Sequence, residues 1–549
     1  MNAPILFCHR TIVVLAWVWT VALGTAEVPL FEGLGPHGRD VTTNSESAQR
    51  YFDQGLAFLY AFNHDEAIRS FQEAARLDPE CAMAHWAISL ASGPHINNPM
   101  VPAARADLAW KELTLAQQHA SRCTVVEQAL IEALGHRYAD PHPEDRTPLD
   151  AAYAEAMREV WDNHREDADV GALFAESLMD LRPWDLWTLD KEPQPGTDEI
   201  IAILNAVLEL DPNHPLANHL LIHAVEAGPN PELADAAADR LRDLQPGMGH
   251  NTHMPSHIDV LRGRWHKAIE ANEKAVRADL TYRETTGKRP DFYRLYMAHS
   301  RHMLAYAAMM TGQSELALTH IRAMVAEIPT PWLQENALFA DAFVAMPYEV
   351  LVRFGRWDDV LAMPEPPDYL PFTRALHHAS CGIAHAAKGK PKLARAEQVN
   401  FVAARERVPE EWIIGNNFCS EVLELTSHML EGEILYREGK VDPALAELRK
   451  AVELEDDLKY DEPPGWILPV RHLLGATLMQ ERRFAEAEDV YRKDLERRPE
   501  NGWSLFGLSR SLSLQDREEE AEPIWERFEK IWAKADLKIN SSCLCQAGL

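Results

Sequence analysis

From residue 48 onward, apolar side chains return every three to four positions, the period of a helix with one buried face. Proline or glycine interrupts the pattern at intervals, and no segment alternates apolar and polar residues as a half-buried strand would. The clearest unit is Ala48–Cys81. Tyr51, Gly55, Phe58, Ala67, Phe71, Ala74 and Pro79 stand at its positions 4, 8, 11, 20, 24, 27 and 32. Gly55 and Ala67 are small enough for two helices to cross closely, and Tyr51, Phe58 and Phe71 fill the space between them. Asp78-Pro79 ends the second helix, because proline lacks the N–H that would continue it.

The pattern recurs in the C-terminal third. Gly432, Leu435, Ala444, Leu448 and Ala451 take positions 8, 11, 20, 24 and 27 of one unit. Gly475, Leu478, Ala487, Tyr491 and Pro499 take 8, 11, 20, 24 and 32 of the next, and Ala521, Trp525 and Phe528 mark a last one. Weaker units centre on Gly355 and on Gly382 with Ala394. This 34-residue spacing resembles the tetratricopeptide repeat (TPR) family. The resemblance implies an all-α fold, a right-handed superhelical solenoid of helix-turn-helix units, like that of exported bacterial proteins known chiefly by these repeats. On that basis the chain divides into a signal peptide (1–26), a Gly/Asn/Thr-rich linker (27–47) and an N-terminal helical region (48–199). A His-rich region (200–330), degenerate repeats (331–424), C-terminal units (425–535) and a flexible tail (536–549) follow. Three stretches read as irregular loops: 93–99, 182–196 and 460–466. Such loops either edge a cleft or space the repeats.

Histidine placement adds chemistry to this scaffold. His214–His302 contains nine of the 24 histidines, where an even spread would place about four. His219 and His223 recur 34 residues later as His253 and His257, and each pair is spaced i, i+4, on one helical face. Units starting at Pro215, Gly249 and Ala298 place His250 and His299 at position 2, and His219, His253 and His302 at position 5. His223, His257 and Tyr306 fall at position 9 and Glu226 at position 12. The spacing shows a shared face; the TPR resemblance implies that this face lines the concave groove. Position 8 holds Ile222, Ser256 and Ala305 instead of glycine, and Pro255 interrupts the middle unit's first helix. His214 and His266 fall in turns and are set aside.

Neutral imidazole ligates zinc, copper, nickel and iron, and an i, i+4 pair on a helix chelates. The expected metal ligands are therefore His219, His223, His250, His253, His257, His299 and His302, with zinc or copper favoured and iron also suited. Glu226 is the candidate catalytic base for metal-bound water, a further metal ligand, or an acceptor for an imidazole N–H. Tyr306 is the candidate for orienting a bound ligand. No zinc-protease His-Glu-x-x-His, phosphate loop, Gly-x-Ser-x-Gly or haem Cys-x-x-Cys-His is present.

Composition narrows the partners. The formal net charge of −31 argues against nucleic-acid binding, which needs Lys/Arg to displace counterions from phosphates. His9 and Arg10 precede an apolar run, Thr11–Leu23, followed by small Gly24 and Ala26. This reads as a cleaved secretory signal, giving a periplasmic or secreted protein with no integral membrane segment after cleavage. Cys543-Leu-Cys545 in the tail reads as a disordered end with two thiols, or as a holder of a soft ion. Three functions follow: a transition-metal-binding protein, a scaffold for a protein or peptide in the groove, and a metal-dependent hydrolase or oxidase.

Overall fold

The computed structural model describes residues 28–287 and 292–546, so the expected signal peptide lies outside the described residues. The described chain is an all-α array of helix pairs; its strands are one short hairpin, Ile413–Ile414 with Asn417–Phe418. Among the described residues, no helix is long and apolar enough to cross a membrane.

The first unit pairs Glu46–Tyr60 with His64–Leu77. Ser45 and Asn63 cap these helices by accepting hydrogen bonds from the N–H groups of Ala48 and Glu66. The expected close crossing is present. A Cβ on Gly55 would sit 2.4 Å from the Phe71 ring, and one on Gly475 would sit 2.4 Å from Tyr491. Position 8 against position 24 is thus one recurring contact that only glycine permits.

The middle units follow the expected register with two adjustments. Pro215–Glu226 starts where predicted. The next first helix breaks at Pro255 into Gly249–His253 and Pro255–Leu261, since proline has no N–H to donate. The third begins earlier than Ala298, as Tyr293–Met310. The expected starts at Gly249 and Ala298 are 49 residues apart, 15 more than one repeat, and part of that excess lengthens the preceding helix, Trp265–Thr286.

Unlike an open solenoid, the array folds back across itself. The indole of Trp265 donates to the Pro499 carbonyl at 2.8 Å, and that of Trp503 to Met309 at 2.7 Å. Glu349 accepts from the Ile467 N–H at 3.0 Å. The C-terminal units therefore cover the middle ones and set the 460–466 loop against the His-rich helices.

Both segments expected to be loose are packed. The 28–45 stretch, read above as a linker, is a strap. Phe31 N–H donates to Gln54 at 2.9 Å, Gly247 N–H to the Gly33 carbonyl at 2.8 Å, and Arg39 forms a fork with Asp167 at 2.8 Å. The end of the tail is also held. Ser541 to Gln546 has its cysteines joined as a Cys543–Cys545 disulfide, and Arg353 donates to the Ser542 carbonyl at 2.7 Å. The reading of this end as disordered with two thiols is therefore corrected: long-range contacts, invisible in local composition, hold it.

Candidate metal centre

Six of the seven expected histidines form two adjacent trios. His219, His223 and His250 make one; His253, His257 and His299 make the other. Within each trio the potential ligand nitrogens lie within 4.8 Å of one another. All six rings are buried apart from the partly covered His299. The two trios meet where His223 and His257 approach with ring centroids 5.5 Å apart.

The partners of the Nδ1 atoms fix which nitrogen of each ring carries its proton. His219 Nδ1 faces the Tyr60 carbonyl at 3.1 Å, an acceptor, so Nδ1 donates. Glu226 faces His223 Nδ1 with one oxygen and His257 Nδ1 with the other, both at 2.7 Å. His253 Nδ1 meets Asn272 Oδ1 at 2.5 Å. The Asn272 amide is oriented because its Nδ2 donates to the Ala268 carbonyl at 2.8 Å. In four rings, then, Nδ1 bears the hydrogen and Nε2 presents a bare lone pair.

Those lone pairs converge. His253 Nε2 and His257 Nε2 stand 2.7 Å apart, and His299 Nε2 is 3.3 Å from His257 Nε2. With both Nδ1 atoms protonated, the closer pair has no hydrogen to share and repels unless a cation lies between them. In the other trio, His219 Nε2, His223 Nε2 and both nitrogens of His250 have no hydrogen-bond partner. A buried polar atom left this way costs about 1–3 kcal/mol, so stability alone would favour apolar side chains here.

Electrostatics keep the rings ready to ligate. Burial, reinforced by neighbouring imidazoles, pushes His219, His250, His253 and His299 well below the ordinary imidazole range. Burial alone would raise the Glu226 carboxyl, but His223 and His257 outweigh it and hold the group at about 2. Glu226 is therefore the anion at the centre.

Sequence reasoning missed Glu462. Its Oε1 lies 3.3 Å from His257 Nδ1, and burial, then the nearby Glu226 and Asp461, push its carboxyl well above the ordinary range. The available signal was the acidic, aromatic 460–466 loop. All three irregular loops reach this place: Ile96, Trp184 with Trp187, and Tyr460 line a narrow cleft of about 20 Å³ ending on His223 and Glu226.

Two expected residues lie apart. His302 joins neither trio; its ring faces Phe343, with centroids 6.1 Å apart. Tyr306 is buried edge-on against Trp265 at 5.6 Å, in the core under the C-terminal units, and does not reach the histidines. His214, set aside as a turn residue, instead caps Pro215–Glu226 and contacts Asp169 at 3.1 Å, where His37 and Tyr60 also converge. These bonds satisfy Asp169 and pin the N-terminal strap.

The family comparison matches residues 48–81 to the tetratricopeptide repeat. No curated protein sequence matches the chain. Among solved structures, it is similar to a human IFIT1 dimer with m7Gppp-AAAA at 14% identity, covering 90% of this chain and 91% of that one, with a TM-score of 0.32. It is similar to yeast Tom70 at 11% identity, covering 89% and 92%, with a TM-score of 0.28. The APC/C hetero-tetramer Cut9-Hcn1 gives 13% identity, coverage of 89% and 74%, and a TM-score of 0.29. The chain is a helical array with a tetratricopeptide repeat at its start, folded over two histidine trios.

Proposed function

We propose that the protein binds a divalent transition-metal ion through His253, His257 and His299. The carrying observation is the 2.7 Å approach of two Nε2 lone pairs whose Nδ1 atoms are both committed as donors. Ligand nitrogens about 2.0–2.1 Å from a tetrahedral ion lie ~3.3 Å from each other, which is the separation of His257 and His299, whereas the 2.7 Å His253–His257 pair must open by ~0.6 Å to ligate the same ion. Zinc and copper suit such a nitrogen set, and iron is accommodated by the same donors. Glu226 accepts from the far nitrogens of two imidazoles, the arrangement that orients metal-bound histidines. Both its oxygens are engaged in this way, so we read it as a positioning carboxylate and not as the general base.

The scaffold supports a second reading, a protein or peptide partner. The C-terminal units cover the histidine face, so such a partner would meet exposed helix surfaces and its binding would ignore chelators. We also read residues 1–26 as an export signal, which places the centre in the periplasm or outside the cell. N-terminal sequencing of the mature protein tests this, and an intact Met1 in exported material would refute it.

The metal reading is tested by elemental analysis of untagged protein, followed by Zn²⁺ titration of chelator-treated protein. Stoichiometric zinc, reduced in His253→Ala/His257→Ala, is expected. Protein that neither retains nor takes up metal would overturn it.

A further inference from the structure

We propose that the chain holds a second divalent ion, at His219, His223 and His250, and that Glu226 couples the two sites. This rests on the metal reading above and extends it to a trio that shares no ligand with the first.

The repeat itself makes the site twice. His219 and His223 stand at positions 5 and 9 of one unit and His250 at position 2 of the next. His253 and His257 stand at positions 5 and 9 of that next unit, and His299 at position 2 of the third. Each trio thus takes an i, i+4 pair from one unit, His219 and His223 on a continuous helix and His253 and His257 on either side of the break at Pro255, and a single imidazole from the next unit. The same rule explains His302: it occupies position 5 of the third unit, but its position-9 companion is Tyr306, so no third chelating pair forms.

The donors of the second trio are prepared as those of the first are. The Tyr60 carbonyl holds His219 by Nδ1, and Glu226 holds His223 by Nδ1, leaving both Nε2 atoms buried and unpartnered beside His250. The Phe62 ring closes one side, 4.3 Å from the His219 ring, and Trp184 stands edge-on to His223 at 5.2 Å. Three protein nitrogens leave a tetrahedral ion one position for an exogenous ligand. The cleft between Trp184 and Tyr460 has room for about one water-sized ligand beside His223.

Glu226 is the link. One carboxylate oxygen holds a ligand of each ion, so a change at this residue reaches both sites. Replacing such an outer partner lowers metal affinity about 10–100-fold.

The test is Co²⁺ titration of metal-free, full-length protein, read by visible d–d absorption and by calorimetric stoichiometry. Wild type is expected to bind two equivalents. His219→Ala/His250→Ala and His253→Ala/His257→Ala should each bind one, and Glu226→Gln should weaken both 10–100-fold. Unchanged helical circular dichroism and hydrogen exchange away from the mutated helices establish that each variant is folded. Crystals of the wild-type cobalt complex should show two anomalous peaks, a readout independent of any variant. One equivalent in wild type, lost only with His253 and His257, would overturn the second site and leave the first reading standing. No bound cobalt would overturn both. A Glu226→Gln defect confined to one ion would overturn the coupling.

Discussion

Phe62 offers a direct check on how the first unit is fitted to the histidines. It sits in the turn between the unit's two helices with φ +57°. Of the equivalent turns in later units, five carry glycine at the same left-handed conformation, Gly263, Gly312, Gly355, Gly389 and Gly439, and two carry Arg482 (φ +56°) and Asp516 (φ +59°). Left-handed backbone costs an L-residue about 1–2 kcal/mol, and glycine escapes that cost. The Phe62 ring offsets the strain by burial among imidazoles, 4.3 Å from His219, 5.3 Å from His95 and 5.8 Å from His250. Phe62→Ala loses that burial, about 3–5 kcal/mol, and keeps the strain. Phe62→Gly loses the same ring and relieves the strain, against an entropic disadvantage of about 0.5–1 kcal/mol. Glycine should therefore be the more stable of the two variants by roughly 0.5–1 kcal/mol, the reverse of the usual helix and strand order. Hydrogen exchange over residues 46–77 reads the local opening free energy, and the thermal midpoint gives a second measure. An alanine variant equal to or more stable than glycine would refute the strain argument. Equal stability of both variants and wild type would refute the packing argument.

Further outcomes follow from single groups. Asn272→Ala removes the acceptor that commits His253 Nδ1 as donor while leaving every expected ligand in place. Zinc affinity, measured by competition with a chelator, should fall about 10–100-fold, and an unchanged affinity would contradict the tautomer assignment. Glu349 is buried beneath the 460–466 loop, and burial pushes its carboxyl from 4.5 up to about 8. Because its folded value is raised, the folded state binds the extra proton, and stability falls as pH rises from about 4.5 to about 8. Glu349→Gln should abolish that decline, so its thermal midpoint should exceed wild type at pH 8 and above; parallel pH profiles would refute this. Asp494 has the opposite sign. Burial opposes ionisation, but His472 at 2.9 Å, Arg498 at 3.0 Å and Ser504 at 2.7 Å hold its carboxyl far below the ordinary range. Its contribution is present above the unfolded carboxyl pKa of about 3.9 and is lost as pH falls below it. Asp494→Asn should lower the thermal midpoint at pH 7 and flatten the acid limb, whereas a midpoint unchanged at pH 7 would show that the network contributes nothing.

The local part of the site was legible because a repeat converts sequence distance into spatial position. A 34-residue shift puts His219 beside His253 and His223 beside His257 on neighbouring helices, and the structure keeps both i, i+4 pairs. Spacing treated the histidines as one grid. The structure divides them by a rule that needs the helix offset: position 2 of one unit reaches positions 5 and 9 of the unit before it. Residues that depend on folding back were not legible. Tyr306 looked like a groove residue on its own helix, but Trp265 and the C-terminal units bury it. Glu462 is 205 residues from His257, and only the return of the C-terminal units sets the two side by side. The same closure gives the histidines their chemistry. On an open groove, water would satisfy the free Nε2 atoms and leave the imidazoles near their ordinary pKa. Covered by the 93–99, 182–196 and 460–466 loops, the rings lose water: burial pushes His219, His250, His253, His257 and His299 below their ordinary range, and the Nε2 atoms of His219, His223 and His250 are left without partners. The scaffold therefore contributes in two separate ways: its period brings imidazoles of equal rank together, and its closure strips them of competing partners. A variant that opens the closure while preserving the period, such as shortening the 460–466 loop, should weaken metal binding with all six ligands intact. Unimpaired zinc affinity in that variant would separate the two contributions and assign the site to the period alone.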